Sequence, residues 1–196
     1  SLHDALPIFE KAGEIIPAVV RVRTELRVGE PPKFMMPEAC PCCHTPVVRE
    51  PGQVAVRCPN FYCGEQVKRR LQHFAARGAM DIQGLGETLV EQIVDAKLAQ
   101  DVADLYQLDE VSLAKLERFG QKSAQNLMEG LAKSKQQSPA RLLFGLGIMH
   151  VGNNGSQKLL EHFRTIEAVG NASVAELQTC QDVGEIVAQS IHAWFR

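Results

Sequence analysis

Residues 142–160 read LLFGLGIMHVGNNGSQKLL, and apolar residues lie at helical spacing on both sides of Gly152. Ile148 and Val151 lie four positions and one position before this glycine, and Leu159 lies seven positions after it. The spacing predicts a helix, a tight hairpin and a second helix, with the apolar side chains packed between the two helices.

The same pattern occurs four times in the chain. It aligns on Gly86, Gly120, Gly152 and Gly184, which are separated by 34, 32 and 32 residues. The positions of Ile148, Val151 and Leu159 are taken by Ile82, Leu85 and Ile93 in the first copy, by Leu116, Phe119 and Leu127 in the second, and by Cys180, Val183 and Ile191 in the fourth. A fixed period of this length indicates repeats of one supersecondary unit. The sequence therefore predicts a mainly α fold with four helix-hairpin-helix repeats.

The repeated glycine suggests what the hairpins bind. Glycine accepts a positive φ and allows a ligand to come close to backbone N–H groups. A helix that begins after such a turn presents unpaired N–H donors and a positive dipole end, which suits a phosphate. Such contacts hold a nucleic-acid backbone without reading its sequence. The alternative is that the glycines are only turns between packed helices, and four copies in register behind a cysteine cluster favour the phosphate interpretation.

The four copies differ in the residues that follow the glycine. Polar residues able to hydrogen-bond to phosphate oxygens follow it in the second and third copies: Lys122, Ser123, Asn153, Asn154 and Ser156. Glu87 and Glu185 directly follow it in the first and fourth copies, where they would repel a phosphate. We therefore expect copies two and three to hold DNA and copies one and four to serve mainly in packing.

A cluster of cysteines precedes the repeats. Two residues separate Cys40 from Cys43, and four separate Cys58 from Cys63. Two such turns can direct four thiolates at one tetrahedral Zn²⁺, which predicts a structural zinc finger. Disulfides or unliganded thiols are the alternatives, and a reducing cytoplasm disfavours disulfides.

Cys42 and His44 lie close enough to compete as ligands; we interpret both as bystanders because Cys43 keeps the two-residue spacing. Cys180 occupies an apolar position of the repeat and is interpreted as a buried thiol.

Composition and charge limit the class of protein. The 196 residues are 45% hydrophobic and 22% charged, with a formal net charge of −2, which is typical of globular domains. The apolar runs fall short of the roughly 20 residues that span a bilayer, and the amino terminus lacks a signal-peptide pattern, so we expect a cytoplasmic protein. Residues 1–77 carry 11 Lys or Arg against 8 Asp or Glu, whereas residues 78–196 carry 10 against 15.

The alternating residues 19–28 predict a half-buried strand. Its polar face, with Arg21, Arg23 and Arg27, is either a DNA contact or a solvated surface. Nothing upstream predicts a partner strand apart from a short apolar stretch at Ile15, so we expect an incomplete sheet and a chain cut at its start. A stiff linker with Pro31, Pro32 and Pro37 follows.

Several of these stretches together resemble bacterial NAD-dependent DNA ligases. They are the finger turns CPCC at 40–43 and CPNFYC at 58–63, the run RLQHFAARGAMDIQGLG at 70–86 and the run RLLFGLGI at 141–148. KAGEIIP at 11–17 is similar to a late segment of that family's oligonucleotide-binding barrel, whereas residues 1–8 do not fit the family. The resemblance implies a barrel (OB-fold) remnant at 1–32, a four-cysteine zinc finger at 33–66 and a helix-hairpin-helix domain at 67–196.

The resemblance implies an enzyme that seals nicks in duplex DNA in replication and repair. Such enzymes use NAD⁺ to adenylate a lysine and Mg²⁺ to assist the sealing step. That lysine lies in a Lys-x-Asp-Gly motif, which this chain does not contain. We therefore expect an inactive, monomeric, nucleoid-associated fragment that clamps nicked double-stranded DNA and binds Zn²⁺, with NAD⁺ and Mg²⁺ bound by domains absent here.

The resemblance also completes the set of candidate site residues. The candidate DNA-binding residues are Gly84, Gly86, Gly120, Lys122, Ser123, Gly152, Asn153 and Asn154. Arg118 stands where the hairpin of the second copy should have its first glycine, which we expect to hinder close approach of a phosphate there. Two other functions are considered: a stand-alone zinc and helix-hairpin-helix repair accessory protein, and helical repeats that bind only protein. An upstream coding sequence with Lys-x-Asp-Gly would distinguish the ligase from the accessory protein.

Overall fold

The computed structural model describes residues 5–12, 14–30, 32–49, 52 and 54–196. The chain forms two compact units, Ser1–Glu38 and Ala39–Arg196. The first contains an antiparallel pair of strands, β1 (Ala5–Ala12) and β2 (Glu14–Val22), and one turn of 3-10 helix at Thr24–Leu26. The two strands pair along their whole length, with an irregular register between Leu6 and Pro7.

Two expectations about the first unit are wrong. The strand predicted over 19–28 ends at Val22, because the chain turns into the 3-10 helix, where Arg23 Nε lies 3.1 Å from Glu25 Oε1. The strand also has a partner, because β1 pairs with it from upstream. Pro7 lacks the N–H that a strand ladder needs and lies at the irregular register, which obscures β1 in the sequence.

The second unit begins with the cysteine-rich finger and continues as helices. The finger contains a short antiparallel pair, β3 (Val48–Arg49) and β4 (Val56–Arg57). The α-helices that follow are α1 (Gly64–Ala75), α2 (Glu87–Asp95), α3 (Glu110–Leu113), α4 (Gln121–Ser134), α5 (Pro139–Gly145), α6 (Asn153–Phe163), α7 (Ile166–Asn171), α8 (Val174–Leu177) and α9 (Glu185–Trp194). In the part of the chain that is described, none of these helices is long and apolar enough to cross a membrane.

The predicted mainly α fold with four repeats is confirmed. The repeated glycines are the N-cap residues of α2, α4, α6 and α9, the second helix of each copy. Helices α3, α5 and α8 precede the hairpins of copies two to four, and α1 precedes the first. The apolar side chain seven positions after the glycine is fully buried in every copy: Ile93, Leu127, Leu159 and Ile191. The periodic apolar residues therefore form the interior.

The buried side chains form two hydrophobic cores. The first core is built from α1 to α4 and the second from α5 to α9. Helix α5 contacts both, because Leu142 packs against the first core and the next residue, Leu143, belongs to the second. Polar contacts reinforce this junction: Arg141 Nε donates to Ala79 O at 2.6 Å, and His73 Nε2 donates to Phe144 O at 2.9 Å.

Side chains cap three short helices that support the hairpins. Asp109 accepts a hydrogen bond from Ser112 N at the start of α3, and Thr165 accepts one from Ala168 N at the start of α7. Ser173 begins α8 with a reciprocal capping box. These caps satisfy N–H groups that the first turn of a helix leaves without partners.

We expect Gly130→Ala to destabilise the protein although Gly130 lies inside α4, where alanine is normally the better helix former. An added Cβ would lie 2.9 Å from the backbone oxygen of Gln83 in the first hairpin, and that backbone cannot move independently. The free energy of unfolding should fall by about 1–3 kcal/mol. Thermal unfolding measures the loss. Gly155→Ala in α6 is the matched control because its Cβ would meet no atom closer than 4.0 Å; equal melting temperatures for the two variants would contradict the prediction.

Candidate metal centre and nucleic-acid interface

Four cysteine sulfurs meet in the finger. Cys40 Sγ lies 3.9 Å from Cys63 Sγ, and Cys43 Sγ lies 3.5 Å from Cys58 Sγ. All four sulfurs lie within 4.8 Å of one another. In a regular tetrahedron with zinc–sulfur bonds of about 2.3 Å, the sulfurs lie about 3.8 Å apart. The donor set and its spacing therefore fit one Zn²⁺.

Backbone hydrogen bonds fix the two turns that carry these cysteines. Cys40 N–H donates to Thr45 O, and His44 N–H donates to Cys40 O, both at 2.9 Å. His44 has a φ of 58°, which lets the chain turn back sharply. Cys63 is the N-cap of α1, and its carbonyl oxygen accepts from Val67 N at 2.9 Å. Backbone hydrogen bonds at the positive end of this helix partly oppose the effect of burial on the Cys63 thiol.

The thiols of the cluster differ in how readily they ionise. The Thr45 hydroxyl lies 3.3 Å from Cys43 Sγ, and hydrogen bonds with this hydroxyl and the Thr45 backbone lower the pKa of Cys43 to about 5. Burial raises the pKa of Cys63 to about 12 and also raises the pKa of Cys58. A bound divalent cation would offset the cost of ionising the buried thiols, because a coordinating thiol is deprotonated.

The other two candidate ligands and the sixth cysteine do not belong to this cluster of four, although the Cys42 thiol is a hydrogen-bonding neighbour of Cys63. Cys42 and His44 are exposed, and the metal-ligand cluster found among the described residues contains neither. Cys180 is 4% exposed in the second core, and burial raises the pKa of its thiol. The structure therefore brings together the four cysteines that the spacing selects, and it buries Cys180 as predicted.

The hairpins turn at a different position from the one that the sequence predicts. The four N-cap glycines have φ values between −80° and −86°, so the expectation of a positive φ there is wrong. The positive φ lies two residues earlier in every copy, at Gly84, Arg118, His150 and Asp182, with values of 89°, 58°, 67° and 64°. An N-cap residue takes an extended conformation as the chain enters a helix, so the reversal is completed before it.

The N-termini of α2, α4, α6 and α9 are open. No side chain caps any of the four, in contrast to α3, α7 and α8. A Cβ added at any of the four glycines would meet no atom of the described chain within 4 Å. Neither the backbone conformation nor internal packing therefore requires glycine here. The arrangement leaves unpaired N–H donors facing open space, into which an external acceptor fits.

The structure places the predicted polar residues of the hairpins as follows. Lys122, Ser123, Asn153 and Asn154 are all exposed in the first turn of their helices.

Ser156 is wrongly predicted as a phosphate contact: it is fully buried, and its Oγ donates to Gly152 O at 3.1 Å. At the fourth helical position this side chain points back along its own helix. Gly84, Gly86, Gly120 and Gly152 are exposed.

The residue with positive φ gives the second and fourth hairpins opposite charges. In the second copy the Arg118 side chain is 91% exposed, with Nε 3.6 Å from Glu117 Oε1. In the fourth copy Asp182 forms an ion pair with Lys158 of α6. Together with Glu185, Asp182 makes the fourth hairpin acidic, whereas the second is basic.

The fold and the cysteine cluster define a zinc-finger protein with tandem helix-hairpin-helix domains, a class that binds DNA. Residues 39–64 match the NAD-dependent DNA ligase C4 zinc finger domain. Residues 77–133 match a SAM-like helix-hairpin-helix tandem, and residues 141–196 match a helix-hairpin-helix motif. The chain therefore contains a finger of the NAD-dependent DNA ligase type, followed by helix-hairpin-helix domains.

Almost the whole chain is similar to curated DNA ligases. The DNA ligase of Chlorobium luteolum is 50% identical over 189 residues, and that of Chlorobium phaeovibrioides is 48% identical over 189 residues. The DNA ligase of Bacillus cereus is 46% identical over 188 residues. Each alignment covers 96% of this chain and 28% of the relative, so the chain spans little more than a quarter of these proteins.

Proposed function

We propose that this chain is the part of an NAD-dependent DNA ligase that grips nicked duplex DNA by its sugar-phosphate backbone. The observation that carries the proposal is the set of four open helix N-termini, each preceded by a glycine that nothing inside the described chain requires. Backbone N–H groups and a helix dipole at such a site bind phosphate irrespective of base sequence. Sequence-independent binding is what an enzyme acting at nicks in any sequence needs.

The second and third hairpins carry the phosphate contacts in this proposal. Their exposed side chains supply a cation, a hydroxyl and two amides close to the helix N-termini: Lys122, Ser123, Asn153 and Asn154. Gly120 and Gly152 allow a phosphate to come close to the backbone N–H groups. Gly84 and Gly86 make a weaker contact of the same kind in the first copy. Asp182 and Glu185 repel phosphate, so the fourth hairpin does not contact the DNA backbone. Its helices contribute to packing of the domain.

The cysteine cluster holds one structural Zn²⁺ in this proposal. Cys40, Cys43, Cys58 and Cys63 provide four thiolate ligands, which leave no open coordination position for catalysis. Cys42 and His44 are not ligands. The metal would fix the finger (residues 33–66) to the start of α1, because Cys63 belongs to both.

The catalytic chemistry of the ligase belongs to other domains. The chain has no Lys-x-Asp-Gly motif to accept the adenylyl group, and we assign none of its residues to NAD⁺ or Mg²⁺. The paired strands of the first unit belong to the oligonucleotide-binding barrel (residues 1–32), and residues 67–196 form the helix-hairpin-helix domain. Alone, the chain is a monomer that binds cytoplasmic, nucleoid DNA and does not ligate it.

Binding of the zinc-loaded chain to a nicked duplex, followed by fluorescence anisotropy across a salt series, tests this function. Contacts at two hairpins should give a log–log slope of about −2 or steeper, since each phosphate neutralised contributes about −0.9. We expect similar affinity for intact duplex and no sealing of the nick with NAD⁺ and Mg²⁺ added. Absence of salt-dependent binding at low ionic strength, or measurable sealing, would contradict the proposal.

A further inference from the structure

The turn between Cys58 and Cys63 exposes two neighbouring aromatic rings. Phe61 is 52% exposed and Tyr62 is 68% exposed. Among the residues whose burial the structure describes, the other exposed aromatic side chains are Phe34 and Trp194, far from this turn in the sequence. The cysteine positions in this turn are set by its backbone and do not need aromatic neighbours. An exposed aromatic pair on a small, rigid finger is a surface feature that suits a partner.

The two rings are held in a fixed arrangement. They meet edge to face, with centroids 5.4 Å apart and an angle of 83° between their planes. Arg70 of α1 lies over the Phe61 ring with Cζ 3.7 Å from the centroid, and its Nη2 donates to Phe61 O at 2.7 Å. Tyr62 N donates to Asn60 Oδ1 at 3.0 Å. Little conformational freedom remains to be lost when a flat ligand binds, because the turn is already ordered.

The finger and α1 carry a net positive charge, which favours an anionic partner. Residues 33–77, which comprise the finger and α1, contain seven Lys or Arg and three Asp or Glu, a balance of +4. Residues 78–196 have a balance of −5. Arg57 of the finger and Arg69 of α1 are exposed. Asp101 opposes part of the charge of Arg70. We therefore assign the contact to the two rings and not to the Arg70 guanidinium. Aromatic rings within a basic surface are typical of sites that stack on nucleobases.

We propose that the Phe61–Tyr62 pair stacks on a nucleobase that is unpaired at an interruption of the duplex, with Tyr62 as the principal contact. One face of Phe61 is already covered by Arg70, whereas Tyr62 is the more exposed of the two rings. The inference rests on the proposed function, because it requires the chain to be bound to DNA. It adds a base contact to hairpins that hold only the backbone.

The test uses a nicked duplex that carries 2-aminopurine as the terminal base at the nick, opposite a mismatched base, so that the terminal base is unpaired. Stacking of this base on tyrosine quenches its fluorescence. With the zinc-loaded full chain we expect quenching on binding, and Tyr62→Ala should remove it and weaken Kd about ten-fold. The slope of log K against log salt should not change, because no charge is removed. Tyr62→Trp should retain both quenching and affinity.

Controls separate stacking from loss of structure. Val54→Ala changes another exposed apolar side chain of the finger, 88% exposed, and should leave quenching and Kd unchanged. Tyr62→Leu keeps apolar volume without a π face; it should lose quenching while keeping one zinc per chain, and it replaces the alanine variant if that variant loses zinc. On an intact duplex, either Tyr62 variant should change Kd by less than two-fold.

The two possible failures differ. If the wild-type chain shows no salt-dependent DNA binding, the proposed function fails together with this inference. If the wild-type chain binds but gives no quenching, or if Tyr62→Ala and Tyr62→Leu quench and bind like wild type, only the inference fails. In that case the aromatic pair faces something other than a base, such as another protein surface.

Discussion

Replacement of Cys63 by serine is expected to lower zinc affinity more than 100-fold and to unfold the finger. Mutation of residues that only hydrogen-bond to metal ligands already lowers metal affinity about 10–100-fold. Cys63 belongs to the ligand cluster itself, so its loss should cost more. Binding of structural zinc supplies on the order of 10 kcal/mol to small domains of this kind. The effect should extend into α1, because Cys63 is its N-cap and α1 contributes Leu71 and Phe74 to the first core.

Zinc content per chain and amide hydrogen exchange over residues 39–75 measure this effect. Cys42→Ser is the matched control, because Cys42 is an exposed cysteine of the other finger turn and does not belong to the cluster of four. It should keep one zinc per chain and wild-type exchange rates. The reverse result, with zinc retained by Cys63→Ser and lost by Cys42→Ser, would show that the ligand set is wrong.

The double variant Gly120→Asp, Gly152→Asp should lose DNA affinity about ten- to a hundred-fold at moderate salt. Each carboxylate would lie in the open space before a helix N-terminus and repel a phosphate by about 1 kcal/mol or more. The slope of log K against log salt should become shallower by about 1 for each phosphate that the variant no longer neutralises. Stability should not fall, because these positions have ordinary φ values and aspartate is among the best N-cap residues.

The first and fourth hairpins provide the control for this variant. Gly86→Asp, Gly184→Asp introduces the same groups in the same geometry, beside Glu87 and Glu185. It should change DNA affinity less than three-fold. Anisotropy measures binding and thermal unfolding measures stability for both variants. Equal losses in the two double variants would mean that all four hairpins contact DNA, and no loss in either would remove the hairpins from the interface.

The sequence predicts the repeats well because the apolar residue seven positions after each glycine is buried in all four copies. It also selects the four cysteines that meet, since spacing decides which sulfurs two short turns can bring together. It misplaces the positive φ. Among the four residues that adopt it, only Gly84 is a glycine; Arg118, His150 and Asp182 take it because both flanking helices are held by their cores.

Other features depend on contacts that a local pattern does not contain. Ser156 reads as an exposed polar residue, but helix packing buries it and its own helix supplies the acceptor. Strand β1 contains a proline, and only its pairing with β2 identifies it as a strand. The Phe61–Tyr62 pair becomes a defined surface only through Arg70, nine residues after Phe61, when α1 folds back beside the turn.

Under the proposed function, helix α5 has a consequence for how long the chain stays on DNA. Its consecutive residues Leu142 and Leu143 pack against different cores, so the two hairpin pairs are joined through packed side chains and not through a flexible tether. When one pair has engaged the duplex, the other is already positioned, and its engagement is an intramolecular event at high effective concentration. Two individually weak contacts then combine into a slow dissociation rate. The residence time of the clamp is therefore set in part by a junction that touches no DNA.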